Sequence, residues 1–489
     1  MSAIRNTFLS NLLLVVGLNL LIKPLYVLVV EAHVQDRLGP EEFGLYFALL
    51  NLSFVFNIIP DLGMSNWNNR ITAQWGFIPA QRLQRLTGIR LILGVAYILT
   101  CLLPAIILDY NTREIYLLLL LAFNQIVATG IQFLRSFLSG MHDFKSDSLL
   151  SVLDKAILML FMIVLLIAFP SSGSFQLEYL IYAQSAAYVL ALIVAATLVV
   201  RSQSKRHEPS TLVSGQVLRE SAPFALLILL SMIANRQDGI LLERLHSPYE
   251  AGIYAMAYRL GDTLNMFAFL FAGLLLPMFS RLLEEKKSIT PLFDLSAKLL
   301  VAGAWSVTVC ALYYPEFIMN ILYDGYTAEA ADVLPWVMMS AFLFSMQYVT
   351  GTLITASGNM HTLILLAGGG MLYNLLLNLL YVPEQGALGA AKAACFMQFI
   401  VLVGQVIHVQ VNYRALGRNL NLSLLCYFVL APVAATLLRL TDTPEYIQLI
   451  ALISLCIIAA FGLKMIQLTD LRMLFQQREA HPKDTTENR

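Results

Sequence analysis

The chain has 489 residues, of which 58% are hydrophobic and only 13% charged, with a mean hydropathy of +0.72. Soluble domains carry about 25% charged residues, so lipid rather than water must solvate most of this surface. The 31 basic and 31 acidic residues cancel to a formal charge of zero, which by itself says nothing about a partner and leaves the information in where the charges sit; no nucleic-acid partner is expected.

About fourteen apolar stretches, each near the ~20 residues that cross a bilayer, follow one another along the chain. Their limits are 8–30, 42–60, 87–108, 115–134, 148–169, 178–200, 221–242, 250–280, 293–315, 332–355, 360–381, 387–411, 421–439 and 446–464. They are rich in Leu, Ile, Val and Ala without period-two alternation, which predicts helices and not a β-barrel. The first stretch follows Arg5, is too long for a signal h-region and lacks a small-residue cleavage pattern. It reads as an uncleaved membrane helix. Segment 61–86, with Trp67, Trp75, Arg82 and Arg85, is mixed polar and aromatic and is expected to lie along the cytoplasmic interface. The polar segment 201–219, holding Arg201, Lys205, Arg206 and Arg219, is the natural linker between a six-helix lobe at 1–200 and another at 220–411. Residues 412–465 add a helix pair, and 466–489 form a charged cytoplasmic tail expected to be disordered. The reading is an all-α polytopic membrane protein: two pseudo-symmetric six-helix bundles plus two C-terminal helices.

The connecting charges check that count independently. With the amino terminus inside, the cytoplasmic segments hold about twenty Lys and Arg residues against about four outside. The outside loops are acidic instead, with Glu41, Glu42, Asp109, Glu114, Glu316, Asp324, Glu329 and Asp332. Both termini are therefore expected in the cytoplasm.

Sequence motifs exclude several chemistries. The five cysteines (Cys101, Cys310, Cys395, Cys426 and Cys456) lie inside apolar runs without CxxC spacing and read as packing residues. No GxxxxGK tract exists to cradle nucleotide phosphates, and the seven histidines have no metal spacing. No outside loop is long enough for a catalytic domain. The expectation is a protein that is not an enzyme and uses no cofactor.

The chain also repeats itself. Gly39-Pro40-Glu41-Glu42-Phe43-Gly44-Leu45-Tyr46 returns as Ser247-Pro248-Tyr249-Glu250-Ala251-Gly252-Ile253-Tyr254, each after an Arg-Leu pair and each opening a long apolar run. Ser139-Gly140-Met141-His142 is echoed by Ser357-Gly358-Asn359-Met360-His361. Matched motifs at matched places in the hydrophobic pattern indicate a duplicated half. With six helices per copy the two insert the same way up, placing a cavity between them.

Seven cations remain at membrane depth once loop charges are set aside: Lys23, Arg90, Lys155, Arg236, Arg259, Lys298 and Lys392. Each costs roughly 2.5–3.5 kcal/mol if central. Arg90, Lys155 and Lys298 lie close enough to a helix end to snorkel to the interface. Lys23 does not, and it sits beside Pro24, with Asn19 one turn away on the same face. Arg236 belongs to the polar run Asn235-Arg236-Gln237-Asp238, and Arg259 shares a helix face with Asp262. Two readings stand. Lys23, Arg236 and Arg259, with Asn19 and Asn235, line a cationic cleft for a diphosphate or other anion; or Arg236–Asp238 and Arg259–Asp262 neutralise one another. Asp238 and Asp262 are also candidate proton or sodium sites. Asn374 and Asn378, four apart, are expected to hydrogen-bond across helices.

Several tracts resemble the polysaccharide-transporter (Wzx-type) flippases of the multidrug/oligosaccharidyl-lipid/polysaccharide exporter superfamily. They are Leu38 through Tyr46, Asp61-Leu62-Gly63-Met64, Glu250 through Leu260, Ala356-Ser357-Gly358-Asn359, and Asn374 through Asn378 running on to Pro383, Gly386 and Gly389-Ala390-Ala391. Together they cover nearly the whole chain. The resemblance implies two six-helix lobes packed as a V, alternating access, and export of an undecaprenyl-diphosphate-linked oligosaccharide across the bacterial inner membrane. A glycan polymerase and glycosyltransferases would be its working partners, with an ion gradient (H+ or Na+) or the substrate gradient as the energy source. The related lipid II flippases look richer in arginine along the first helix, where this chain offers Lys23. A multidrug cation antiporter of the same superfamily, needing an acidic cleft, and a membrane glycan polymerase, needing a large outside loop, are the rival expectations.

Overall fold

The computed structural model describes residues 17, 19, 21–169, 175–204, 215–413, 422–463 and 465. Arg5 and the start of the first apolar stretch, Lys205 and Arg206 of the linker, the Arg219 side chain and the tail from 466 lie outside the described residues. A π-helical turn, Tyr26–Glu31, leads into α1 (Ala32–Val55). There follow α2 (Met64–Trp75), α3 (Ala80–Ile107), α4 (Thr112–Gly140), α5 (Phe144–Ala168) and α6 (Leu177–Arg201). The second half holds α7 (Gly215–Leu245), α8 (Pro248–Glu284), α9 (Thr290–Leu300), α10 (Ser306–Tyr313), α11 (Pro315–Leu322), α12 (Thr327–Ala356) and α13 (Met360–Tyr413). Last come α14 (Leu422–Arg439) and α15 (Glu445–Gly462).

The protein is an all-helical, multi-pass membrane protein. Ten of the described helices are long and apolar enough to cross a membrane. The single 54-residue helix α13 accounts for two of the predicted stretches, because Gly386 breaks it at φ 54, three residues after Pro383. Gly39 does the same in α1 at φ 77, so the second stretch begins at Pro40, a residue whose fixed φ and missing N–H suit a first helical turn. Among the described residues the one extended pairing is a two-residue contact of Ile78–Pro79 with Gln203–Ser204.

The chain divides into two compact units. The second comprises residues 264–318, 338–359 and 398–489. Its core joins α14 and α15 to α10 through Val309, Tyr427, Leu452 and Cys456, all nearly inaccessible. Trp305 is the hinge of an aromatic cluster there, 5.0 Å from both Phe342 and Phe428.

The first unit comprises residues 1–263, 319–337 and 360–397. Helix α2 lies against α4, where Asn68 donates to Ser136 at 2.8 Å and Gly140 leaves room for the Asn69 carbonyl and Thr72. Arg82 is buried there with its guanidinium 4.1 Å above the Trp75 ring. Arg90, expected near the interface, has a carboxylate partner at the start of segment 61–86. It meets Asp61 at 2.5 Å and lies 4.8 Å from the Phe133 ring, and a guanidinium paired in this way can stay buried.

The two copies of the repeat meet in this unit. A methyl group built at Gly44 would overlap the Pro248 carbonyl and come within 2.5 Å of the Gly252 nitrogen; one at Gly252 would overlap Pro40 in turn. Proline faces glycine on both sides, so the same two residues of each tract make reciprocal contacts. Only glycine permits such close backbone approach. Gln35 donates to the Gly252 carbonyl at 2.9 Å beside the crossing. Glu250 accepts the Ala387 amide at 2.7 Å where α13 restarts, a negative charge placed on a helix N-terminus.

Gly44→Ala and Gly252→Ala should each cost about 1–3 kcal/mol by overpacking. In detergent that lowers the thermal unfolding midpoint by a few degrees. Gly273→Ala, where nothing lies within 4 Å, should be neutral or mildly stabilising. Equal midpoints for all three would contradict the crossing.

Candidate functional site

Two groups of charged residues in the first unit hold Lys23, Arg236 and Arg259. Pro24 begins the first, because its missing N–H removes one bond from the helical ladder. The π-helical turn Tyr26–Glu31 comes two residues later, a local widening that ordinarily marks strain or function. Lys23, just before it, is half-buried and makes no hydrogen bond or ion pair with any described residue. Its charged neighbours are Asp154, Lys155 and Arg135. Lys155 donates to the Tyr188 hydroxyl at 2.8 Å and lies 5.0 and 5.6 Å from the Tyr188 and Tyr26 rings. Asp154, adjacent in sequence, approaches it at 3.8 Å. Arg135 is held by Asp147 at 2.7 Å. Asn19 donates to Ser151 at 2.8 Å, tying the first helix to α5.

The second group holds the two arginines. Arg259 Nη2 lies 2.6 Å from Glu31 Oε1, with side-chain exposures of 11% and 6%. The pair is close but not aligned as a hydrogen bond, and Arg259 Nε is also without a hydrogen-bond acceptor. Its other surroundings are the Phe43 and Phe47 rings at 6.0 and 5.8 Å. Arg236 donates weakly to Asn51 at 3.3 Å, stands 3.8 Å from Asp262, and lies 5.0 Å from the Phe54 ring. Aromatic faces thus supply much of the cations' environment, an attraction that leaves N–H donors uncommitted.

Asp238 belongs to neither group. It is 3% exposed and accepts from Asn374 and Asn378, both at 2.8 Å, with the Tyr254 hydroxyl alongside. The two asparagines do bond across helices, and the carboxylate on α7 is their shared acceptor. Asn378 Oδ1 remains without a partner in this buried polar cluster. Asn235 turns back onto its own helix, donating to the Ser231 carbonyl at 2.7 Å.

The expected cluster is therefore divided. Arg236, Arg259 and Asp262 come together, Lys23 and Asn19 sit with α5, and Asp238 stands apart with Asn374 and Asn378. Neither anticipated neutralising pair forms: Arg236 takes Asp262, and Arg259 takes Glu31. Sequence reasoning passed over Glu31, although its signal was present. Asn19, Lys23, Glu31 and Gln35 are spaced by multiples of four and mark a polar stripe on an otherwise apolar helix.

Two further ionic knots lie near the repeat motifs. Arg113 forks onto both oxygens of Glu42 at 2.8 Å and reaches Glu178 at 2.9 Å. Arg244 bridges Glu114 and Glu243, each at 2.9 Å, with its guanidinium stacked 3.6 Å over Tyr110.

Residues 8–283 match the family described as "Polysaccharide biosynthesis protein". That match covers more than half of the chain. The chain belongs to this family. An uncharacterized membrane protein of Methanocaldococcus jannaschii is 25% identical over 308 residues, or 58% of this chain. The family member described here spans 59% of that relative's length. Its fold is similar to that of the lipid II flippase MurJ in an inward closed conformation, with a TM-score of 0.66 at 15% identity over 95% of this chain and 98% of that one. An inward-facing multidrug resistance MATE family transporter of the MOP superfamily gives 0.57 at 13% identity over 79% and 95%. A MOP superfamily transporter from Pyrococcus furiosus, described as having a binding pocket of reverse polarity, gives 0.58 at 15% identity over 84% and 95%. At these identities the structures establish the fold.

Beyond Glu31 on the same helix, Asp36 accepts the Asp324 backbone amide at 3.2 Å. Partial burial pushes its carboxyl up from 3.8 to about 6, with the Asp324 carboxylate adding to the rise and His33 and Arg37 opposing it. A raised acid favours the folded state when protonated, so this contribution is complete below about pH 4 and is lost as pH rises through about 6. Asp36→Asn should match wild type in thermal midpoint near pH 4 and exceed it at pH 7.5. A difference that does not change with pH would contradict the assignment.

Proposed function

We propose that this protein is a flippase that carries an undecaprenyl-diphosphate-linked oligosaccharide from the cytoplasmic to the periplasmic leaflet. It works by alternating access between two six-helix lobes of the bacterial inner membrane, with both termini in the cytoplasm. The observation that carries the reading is the state of the cations at membrane depth. Lys23 has no hydrogen-bond or ion-pair partner among the described residues, and Arg259 meets one carboxylate oxygen while its Nε meets no acceptor. Donors kept at such expense in an apolar surround suit an anion that arrives and leaves, and a diphosphate offers the oxygens for charge-assisted bonds. Membership of a polysaccharide-biosynthesis family and a fold shared with a lipid-linked precursor flippase support the same substrate class.

In this reading Lys23, Arg236 and Arg259, assisted by Asn19 and Asn235, neutralise the diphosphate while the polyprenyl tail stays in the bilayer. Asp238, held by two asparagine amides, and Asp262 are the coupling candidates for H+ or Na+. A glycan polymerase and glycosyltransferases would stand on either side of this step. A cation antiporter fits less well, because Glu31 and Asp262 are each engaged by an arginine.

Lys23→Ala and Arg259→Ala should each reduce surface glycan about tenfold or more at matched protein levels, the scale of one charged hydrogen bond. The double variant should abolish it. Unchanged export in all three would falsify the cationic cleft. Asp238→Asn and Asp262→Asn should slow export without abolishing lipid-linked glycan synthesis; loss of cation-drug efflux instead would favour the antiporter.

A further inference from the structure

We propose that Glu31 is a built-in stand-in for the substrate's phosphate: it occupies Arg259 when the carrier is empty and yields to the diphosphate when the carrier is loaded. The inference rests on the diphosphate-carrier reading above and adds a specific residue and role to it.

Charge counting supplies the first argument. The central group sets two guanidiniums, Arg236 and Arg259, against two carboxylates, Asp262 and Glu31. A diphosphate diester carries two negative charges, so it supplies the one that Glu31 withdraws from Arg259 and leaves one for Lys23, which the reading above sets against the same substrate. An alternating carrier must bury its site on the return leg, when no substrate is present. Two unpaired guanidiniums could not be sealed away from water without a cost of several kcal/mol each. An internal anion removes that cost, and Glu31 is the carboxylate placed to do so.

The geometry of the contact supplies the second. A bidentate pair such as Arg113 with Glu42 aligns two N–H donors on one carboxylate, while Arg90–Asp61 and Arg135–Asp147 make single contacts. Arg259 and Glu31 also touch through one nitrogen and one oxygen, but misaligned, with Arg259 Nε orphaned in a buried site. The contact is close enough to neutralise charge and poor enough to be replaced. The backbone supplies the third: Glu31 ends the π-helical turn. Tightening such a turn to a regular α turn removes one residue from the register and rotates one helix segment against the other by roughly 100°. That motion would carry the carboxylate away from Arg259.

The test measures binding of inorganic pyrophosphate to the full chain in lipid nanodiscs by calorimetry, alongside export of surface glycan in cells. Glu31→Gln should bind pyrophosphate at least tenfold more tightly than wild type yet export more slowly, because the return leg lacks its counter-anion. Arg259→Gln, and the Glu31→Gln/Arg259→Gln double variant, should lose binding. If Glu31→Gln does not accumulate, Glu31→Asp, which withdraws the carboxylate by one methylene, should show a smaller change in the same two directions. Pyrophosphate affinity equal to or below wild type in these Glu31 variants, with Arg259→Gln defective, overturns the stand-in role and leaves the carrier reading intact. Wild-type affinity in Arg259→Gln and Lys23→Gln, or no pyrophosphate binding by any variant, overturns the carrier reading itself.

Discussion

Among the described glycines, the tightest backbone crowding is where the two copies of one short motif meet. Pro40 and Gly44 press on Pro248 and Gly252 so tightly that neither glycine has space for a methyl group. In a membrane there is little hydrophobic gain from bringing two helices together, so contact depends on small residues and on backbone fit. A duplicated sequence that contacts its own copy achieves that fit twice with one solution. Several polar contacts of the first unit lie beside this crossing. The Arg113 and Arg244 knots lie near the motifs, Gln35 ties to Gly252, and Arg259 projects from the same helix as Gly252.

Low dielectric governs the rest. Almost every ionic side chain at depth has been given a neighbour: Arg90 has Asp61, Arg236 has Asp262, Arg259 has Glu31, Lys155 has Tyr188. Two groups depart from that pattern. Lys23 meets no hydrogen-bond or ion-pair partner among the described residues, and Asp238 has amides and a hydroxyl but no cation. Buried charge without full compensation is expensive and is kept where it is used. An anion for the one and a small cation or proton for the other would complete the electrostatics, which is the physical core of the proposed transport cycle.

Much of this was legible in the sequence, and the missed pairings share one cause. Helix positions followed from run length, while the breaks at Gly39 and Gly386 inside continuous helices came only with the structure. The repeat announced that its copies occupy equivalent places. Periodicity identifies residues that share a face of one helix, so it found Lys23 with Asn19 and Arg259 with Asp262. It does not reveal which face of which other helix lies opposite. Arg259 therefore pairs with a glutamate more than two hundred residues away, and Asp238 with asparagines on a different helix. Likewise the partners of Arg90 and Lys155, an acid and two tyrosine rings, come from other segments that periodicity within one helix does not reveal.

The central claim is that a solvated, positively charged space adjoins Lys23, and charge-selective labelling tests it most directly. Asn19→Cys, in a background whose five native cysteines are replaced, places a thiol one turn from Lys23 without removing the cation. The account predicts faster modification in membranes by an anionic, impermeant thiosulfonate than by its cationic counterpart, with pyrophosphate slowing the anionic reagent. A thiol that neither reagent reaches from either side of the membrane, or one that the cationic reagent modifies faster, would contradict it.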